Sequence, residues 1–246
     1  MEIIEILKGC TIANGNIIKL PDVQLERADY MKVKKLFESN GGKWKGGKCL
    51  GFLFDTTDVS PILARLQGGD TSNRKKKFQF FETPAEVARL LAVRLGDVES
   101  TDRILEPSAG RGALIKAVLE EWPDQMVDCY ELMEENRAEL AKIPNARLLG
   151  NDFMEAEVGM YDKIIANPPF ANNQDIKHVT KMWEHLADGG QMAVIMGCHW
   201  QFACDKPSKA FRSLVESVDH DITALPKGTF KSSGTDVESV MLVMWK

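Results

Sequence analysis

The sequence predicts an α/β protein, with a mainly parallel sheet carrying helices on both faces and a small α+β module in front of it. Three observations carry this. From Phe78 to Lys246, short apolar runs alternate with segments of helical periodicity. Strands separated by helices need crossover connections and so run parallel. Within that region, Ile104-Leu105-Glu106 leads into Pro107-Ser108-Ala109-Gly110-Arg111-Gly112 and then into helix-forming residues up to Trp122. A strand, a glycine turn and a helix in that order present backbone N–H groups at the carboxyl edge of a sheet, where α/β folds bind nucleotides. Residues 1–77 differ in kind, being basic and punctuated by glycine pairs.

Composition sets the bounds. At 246 residues the chain holds one large domain, or one domain and a module, and its 44% apolar content provides for a sizeable core. There is no apolar run long enough to span a bilayer and no charged-then-apolar leader, so a cytoplasmic protein without membrane contact is expected. The five cysteines are an odd number and form no C-x-x-C pair, which points to reduced thiols. Cys198-His199 with Cys204 matches no common zinc spacing, so no metal is expected. The net charge is −5, but residues 31–77 carry eleven bases against four acids. A basic segment inside an acidic protein suits a polyanion partner, although a run of charge is also what any solvated surface shows.

The elements follow in order. Residues 2–21 read as two β runs about Asn14-Gly15, the strongest short hairpin signal. Arg27 to Ser39 has helical spacing, closed by Asn40-Gly41-Gly42. Lys43-Trp44-Lys45 and Leu50 to Phe54 read as a second hairpin, and Ser60-Pro61 opens a short helix, giving a ββαββα module. The polar stretch Gly68 to Lys77 is the expected linker, with domains at 1–77 and 78–246. Thr83-Pro84-Ala85-Glu86 reads as a capping box opening a helix that Gly96 closes. Strands are expected at Met126–Tyr130, Ala146–Leu149, Tyr161–Ala166, Gln191–Met196, Ile222–Leu225 and Val237–Trp245. Helices are expected at Glu134–Lys142, Gln174–Leu186 and Lys206–Val218.

Chemistry collects at the strand ends. Glu131 ends the strand after the glycine turn, where a carboxylate accepts hydrogen bonds from a ribose; an exposed acid at a helix start is the plainer alternative. Asp152-Phe153 ends the next strand, an acid and an aromatic suited to an adenine ring. Asn167-Pro168-Pro169-Phe170 follows an apolar strand. Two prolines stiffen the backbone and remove donors, leaving carbonyls to accept. With the Asn167 side-chain carbonyl and the Phe170 ring, they make a clamp for a planar NH₂ group. His178, His199 and Trp200 read as loop or core residues.

These motifs resemble the class I S-adenosylmethionine-dependent methyltransferases, in particular the N6-adenine DNA methylases. Phe80-Phe81-Glu82-Thr83-Pro84 is similar to that family's N-terminal cofactor motif, Leu105 to Gly112 to its glycine motif and Asn167 to Phe170 to its catalytic tetrapeptide, in an order like the gamma arrangement. Leu225 to Thr235 is similar to a loop of phage and type I-like modification enzymes. The resemblance implies a Rossmann-like seven-stranded sheet and S-adenosylmethionine as cofactor. Phe81 and Thr83 would meet its methionine part and Glu106 its amino group. Ser108, Ala109 and Gly110 would approach by backbone, Glu131 would take the ribose, and Asp152 and Phe153 the adenine. Asn167 and the Pro168 carbonyl would accept the target amine's hydrogens while Pro169 stiffens the loop and Phe170 stacks the base. A duplex base must be flipped out to reach such a pocket. Lys43, Lys45, Lys48, Lys75, Lys76, Lys227 and Lys231 are the expected phosphate contacts. Gln174–His178 and Cys198–Lys206 are the short loops left for sequence reading, so a specificity partner or a second copy of the chain is a further expectation.

Three other readings remain open on sequence. An exocyclic amine in RNA suits the same tetrapeptide. So does a protein glutamine, although a peptide gives no reason for the basic module. A degenerate fold kept for nucleic-acid binding would not need an intact clamp.

Overall fold

The computed structural model describes residues 2–47, 49–71, 81–233 and 235–246, with Ser232 by its backbone alone. The chain forms two compact units, Met1–Phe80 and Phe81–Lys246. The boundary expected between residues 77 and 78 lies outside the described residues.

In the first unit, α1 (Ile3–Lys8), α2 (Arg27–Ser39) and α3 (Ser60–Gln67) accompany β1 (Thr11–Ala13), β2 (Ile17–Lys19), β3 (Lys43–Lys45) and β4 (Gly51–Leu53). The strands form an antiparallel sheet in the order β1-β2-β4-β3. Both expected hairpins form, the first through Asn14 and Gly15, with φ of 53° and 75°. Only the end of the expected first β run is a strand, and its earlier part is instead α1. Ile3, Ile6, Leu7 and Cys10 recur at helical spacing rather than alternating, and Ile6 and Leu7 are fully buried. The core of this unit gathers Phe37, Phe52 and Phe54, with the Phe37 and Phe52 rings 4.9 Å apart.

The second unit is a seven-stranded sheet in the order β10-β11-β9-β8-β5-β6-β7. The strands are β5 (Ile104–Glu106), β6 (Val127–Tyr130), β7 (Ala146–Gly150), β8 (Tyr161–Ala166), β9 (Leu186–Gly197), β10 (His220–Ala224) and β11 (Ser239–Trp245). β5 pairs in parallel with β6 and β8, and β8 with β9, while β11 runs antiparallel to both β9 and β10. The helices are α4 (Ala85–Val93), α5 (Ala113–Glu121), α6 (Glu134–Leu140), α7 (Gln174–His185) and α8 (Lys206–Glu216).

Both faces of the inner strands are buried, which explains their apolar runs, while the outer strands β7 and β10 are more open. Successive strand residues alternate between two cores. Ile104, Ile165 and Ile195 join Leu91, Ile115 and Val118 on one face, and Leu105, Ile164 and Val194 join Val179, Met182 and Phe211 on the other. The chain moves outward from β5 to β7, then returns to lay β8 on the other side of β5. That reversal, at the carboxyl ends of β5 and β8, is where open α/β sheets form ligand crevices. Among the described residues no helix is long and apolar enough to cross a membrane, and no group of His, Cys, Asp and Glu is arranged to hold a metal ion.

Candidate active site

Glu106 closes β5, and its carboxyl is buried. Burial, and then the neighbouring Glu131, push its pKa up to about 8. Its Oε2 is enclosed without a hydrogen-bond partner. A buried carboxyl with an unused oxygen is costly alone and suits a cationic group beside it.

The turn that follows requires its glycines. Gly110 and Gly112 have φ of 55° and 78°, a region costly for other residues. A Cβ on Gly112 would stand 2.4 Å from Ile143 Cδ1. Gly112 precedes α5 without a side-chain cap. The turn is tied to the end of β6. The Ala109 N–H donates to the Tyr130 carbonyl at 3.0 Å and the Gly110 N–H to Glu131 Oε2 at 2.7 Å. Glu131 Oε1 accepts from the Met133 N–H at 2.7 Å and from Asn136 Nδ2 at 3.3 Å. Glu131 thus shapes the glycine turn, and a carboxylate of about four acceptor positions keeps capacity for a hydroxyl. Burial raises its pKa while these donors pull it down.

Asp152 caps the turn after β7, its Oδ1 accepting from the Met154 N–H at 2.8 Å. Phe153 is 2% exposed. Its ring lies 4.9 Å from that of His185, 5.7 Å from Tyr130 and 6.3 Å from His178, with the Lys181 ammonium 5.4 Å from its centroid. The ring thus packs with the core on that face of the sheet. His178 is half-buried there, and burial lowers its pKa to about 4.

Asn167 extends from the end of β8. Its Nδ2 donates to Thr83 Oγ1 at 3.0 Å and lies 3.4 Å from the Phe81 carbonyl. A carbonyl only accepts, so the amide nitrogen belongs on that side and Oδ1 points the other way. Thr83 does not cap α4, which begins after Pro84 without a side-chain cap. The capping box expected from sequence does not form, and the Thr83 hydroxyl accepts from Asn167. The Phe81–Thr83 strap is held in turn by Ser233 Oγ, which donates to the Glu82 carbonyl at 2.6 Å. Pro168 is buried, while Pro169 and Phe170 are half-buried, Phe170 against the core that holds α4 and α5.

A second network begins just beyond the tetrapeptide. Asn172 and Asn173 both take left-handed backbone, each with φ of 58°. Asn173 Nδ2 donates to Asp205 Oδ1 at 3.1 Å, and Asn173 Oδ1 lies 2.8 Å from His199 Nε2. His199 Nδ1 lies 3.9 Å from Oδ2 of Asp175, a fully buried residue. Burial pushes the Asp175 carboxyl up, opposed by His199 and by the N–H groups of Ile176 and Gly197. Asn173 and Asp205 are not among the residues singled out from sequence. Their signals are an Asn-Asn pair suited to left-handed turns and an Asp three residues before Ser208, the N-cap that Asp205 forms.

The expected phosphate contacts divide. Lys43 and Lys45 are exposed on the edge strand β3, where lysines also blunt an open edge. Lys227 is exposed and pairs with Glu238 at 2.7 Å. Lys231 is exposed. Lys48, Lys75 and Lys76 lie outside the described residues.

The methyltransferase small domain family matches residues 86–218, more than half of the chain. The chain belongs to this family. Over 123 residues the methyltransferase is 27% identical to the ribosomal RNA small subunit methyltransferase C of Shewanella loihica, covering 46% of this chain and 36% of that protein. Over 114 residues it is 30% identical to the type II methyltransferase M.AccI of Acinetobacter calcoaceticus, covering 44% of this chain and 21% of that one. The chain thus spans well under half the length of either relative. In fold it is similar to a Listeria monocytogenes protein assigned to the class I S-adenosylmethionine-dependent methyltransferases, with a TM-score of 0.55 at 14% identity over 89% of this chain and 80% of that one. A dimethyladenosine transferase from Plasmodium falciparum gives a TM-score of 0.51 at 14% identity over 68% and 63%.

Proposed function

We propose that this methyltransferase moves the methyl group of S-adenosylmethionine onto the N6 amine of an adenine swung out of DNA. The observation that carries the reading is the fixed amide of Asn167. Thr83 and the Phe81 carbonyl occupy the nitrogen side of that amide, leaving Oδ1 to accept from a substrate NH₂. The Pro168 carbonyl is the second acceptor. The amine's lone pair is conjugated into the purine ring, and two acceptors on its hydrogens favour the pyramidal form in which that pair can attack. Phe170 stacks the base.

The bound cofactor would supply an electrophilic methyl on a sulfonium. Glu106 suits its ammonium, which would satisfy the enclosed Oε2. The backbone of Ser108, Ala109 and Gly110 lines the turn beside it, Phe81 and Thr83 the strap. Glu131 has capacity left for a ribose hydroxyl and Asp152 for the adenine amine. The Asn167 and Pro168 carbonyls would hold the amine's hydrogens in place, and the one proton lost on methylation would pass from that site to solvent. Orientation supplies most of the acceleration, and no strong base is required.

A second reading, transfer to a base amine in RNA, is supported by the ribosomal RNA methyltransferase among the relatives. The test is incubation with methyl-labelled S-adenosylmethionine and unmethylated DNA, RNA or bulk protein, followed by separation of the digested products. Label in 6-methyladenine of DNA is expected. Label in RNA would replace the first reading with the second, and label confined to protein would overturn both. Asn167→Ala should lower turnover by ~10²–10³-fold with cofactor binding retained; unchanged turnover would remove Asn167 from the reaction.

A further inference from the structure

Between β9 and α8 the chain leaves an aromatic side chain in solvent. Phe202 is 77% exposed, the most open large apolar side chain among the described residues. A lone exposed apolar residue is ordinary on a protein surface. Three features set this one apart.

The backbone on both sides of Phe202 is clamped. Arg212 donates through Nη1 to the Trp200 carbonyl, and to the Ala203 carbonyl at 2.9 Å. Trp200 is buried, with its ring 5.0 Å from that of Phe211. The N–H groups of Phe202 and Ala203 both donate to the His199 carbonyl, at 3.1 and 2.9 Å. The backbone that carries the ring is therefore held in place, so contact would have only the two χ angles of Phe202 left to order.

The segment is also joined to the tetrapeptide loop. β8 and β9 are parallel neighbours, so Asn167 and Cys198 leave the sheet at the same edge. Asn173 grips both ends of the Phe202 turn, through His199 and Asp205. Lastly, the exposed Lys206 and Lys209 follow Phe202 on the first turn of α8. The acid between them and Phe202 is Asp205, whose carboxylate is engaged by Ser208 and Asn173. An open aromatic beside solvated lysines is how proteins hold an unpaired nucleobase and its phosphates.

The geometry points to Phe202 as a base-stacking residue for the DNA substrate, holding an unpaired base next to the target adenine while Lys206 and Lys209 take the adjoining phosphates. This rests on the proposed DNA reading and adds a substrate contact to it. Phe202 touches no reacting atom. It acts on substrate binding and leaves the transfer step alone.

The test uses the full chain, with unmethylated duplex DNA for kinetics and single-stranded poly(dA) for binding. Phe202→Ala should raise KM for DNA and weaken poly(dA) binding, each about tenfold. The kcat, the cofactor Kd and the melting temperature should stay unchanged. Phe202→Trp should restore KM, and its added indole fluorescence should be quenched by poly(dA). Unchanged KM and poly(dA) affinity in Phe202→Ala would overturn the stacking role while leaving the transfer reading intact. Absence of methyl transfer to DNA by the natural protein would overturn the reaction, and the poly(dA) measurement would still decide the role of Phe202.

Discussion

Glu106 gives the site its pH dependence. Burial places its folded pKa at about 8, against an ordinary value of 4.5. The folded state therefore holds this proton more tightly than the unfolded state does. Its contribution favours folding below the unfolded value and is lost as pH rises through about 4.5 to about 8. Glu106→Gln keeps the neutral form at every pH. The variant should melt higher than the natural protein at pH 8 and about equally at pH 5, as followed by calorimetry without cofactor. An ammonium-bearing ligand needs the ionised carboxylate, so S-adenosylmethionine affinity in the natural protein should rise from pH 6 to pH 8 and be flat and weak in Glu106→Gln. A melting difference that grew toward acid would contradict the assigned burial. At this scale the sequence marks Glu106 and Asn167 by their residue types at strand ends, and the structure places both at the carboxyl ends of neighbouring strands. It is not readable where a side chain takes the hydroxyl that a helix N–H would otherwise use. Thr83 looks like a helix cap, and only the three-dimensional pairing shows Asn167 engaging it.

Among the elements, the glycine turn governs the crevice. Gly112 is constrained both by its left-handed backbone and by Ile143 and Leu140 of the α6 region. Gly112→Ala should cost about 2–4 kcal/mol, from backbone strain and forced repacking. The drop would show as a lower melting temperature for the second unit. An unshifted transition would mean that the turn relaxes freely. The sheet is legible because strands buried on both faces read as continuous apolar runs, and the loops that start and stop them carry Gly and Pro. α1 is not, because Ile3 to Cys10 is a short apolar stretch beside a hairpin signal and only its spacing of three and four marks a helix. Phe153 is ambiguous in sequence for a related reason. An aromatic after a strand looks the same whether it faces a crevice or turns inward onto His185 and Tyr130.

For the molecule as a whole, the basic character of residues 1–77 set within an acidic chain leads to an expectation about salt. Removing that segment should weaken DNA binding and flatten the slope of log K against log salt, by about 0.9 for each phosphate that is no longer neutralised. A slope that stays the same would assign those lysines to solvation and edge protection. The order of strands has its own outcome. β11 follows β10 in the chain yet lies between β10 and β9, and Ser233, which pins the strap holding Asn167, also comes late. During synthesis on the ribosome, β10 therefore emerges before the strand that pairs it to β9. A break in β11 would thus strip two strands from the sheet, because β10 is paired to the rest of it through β11.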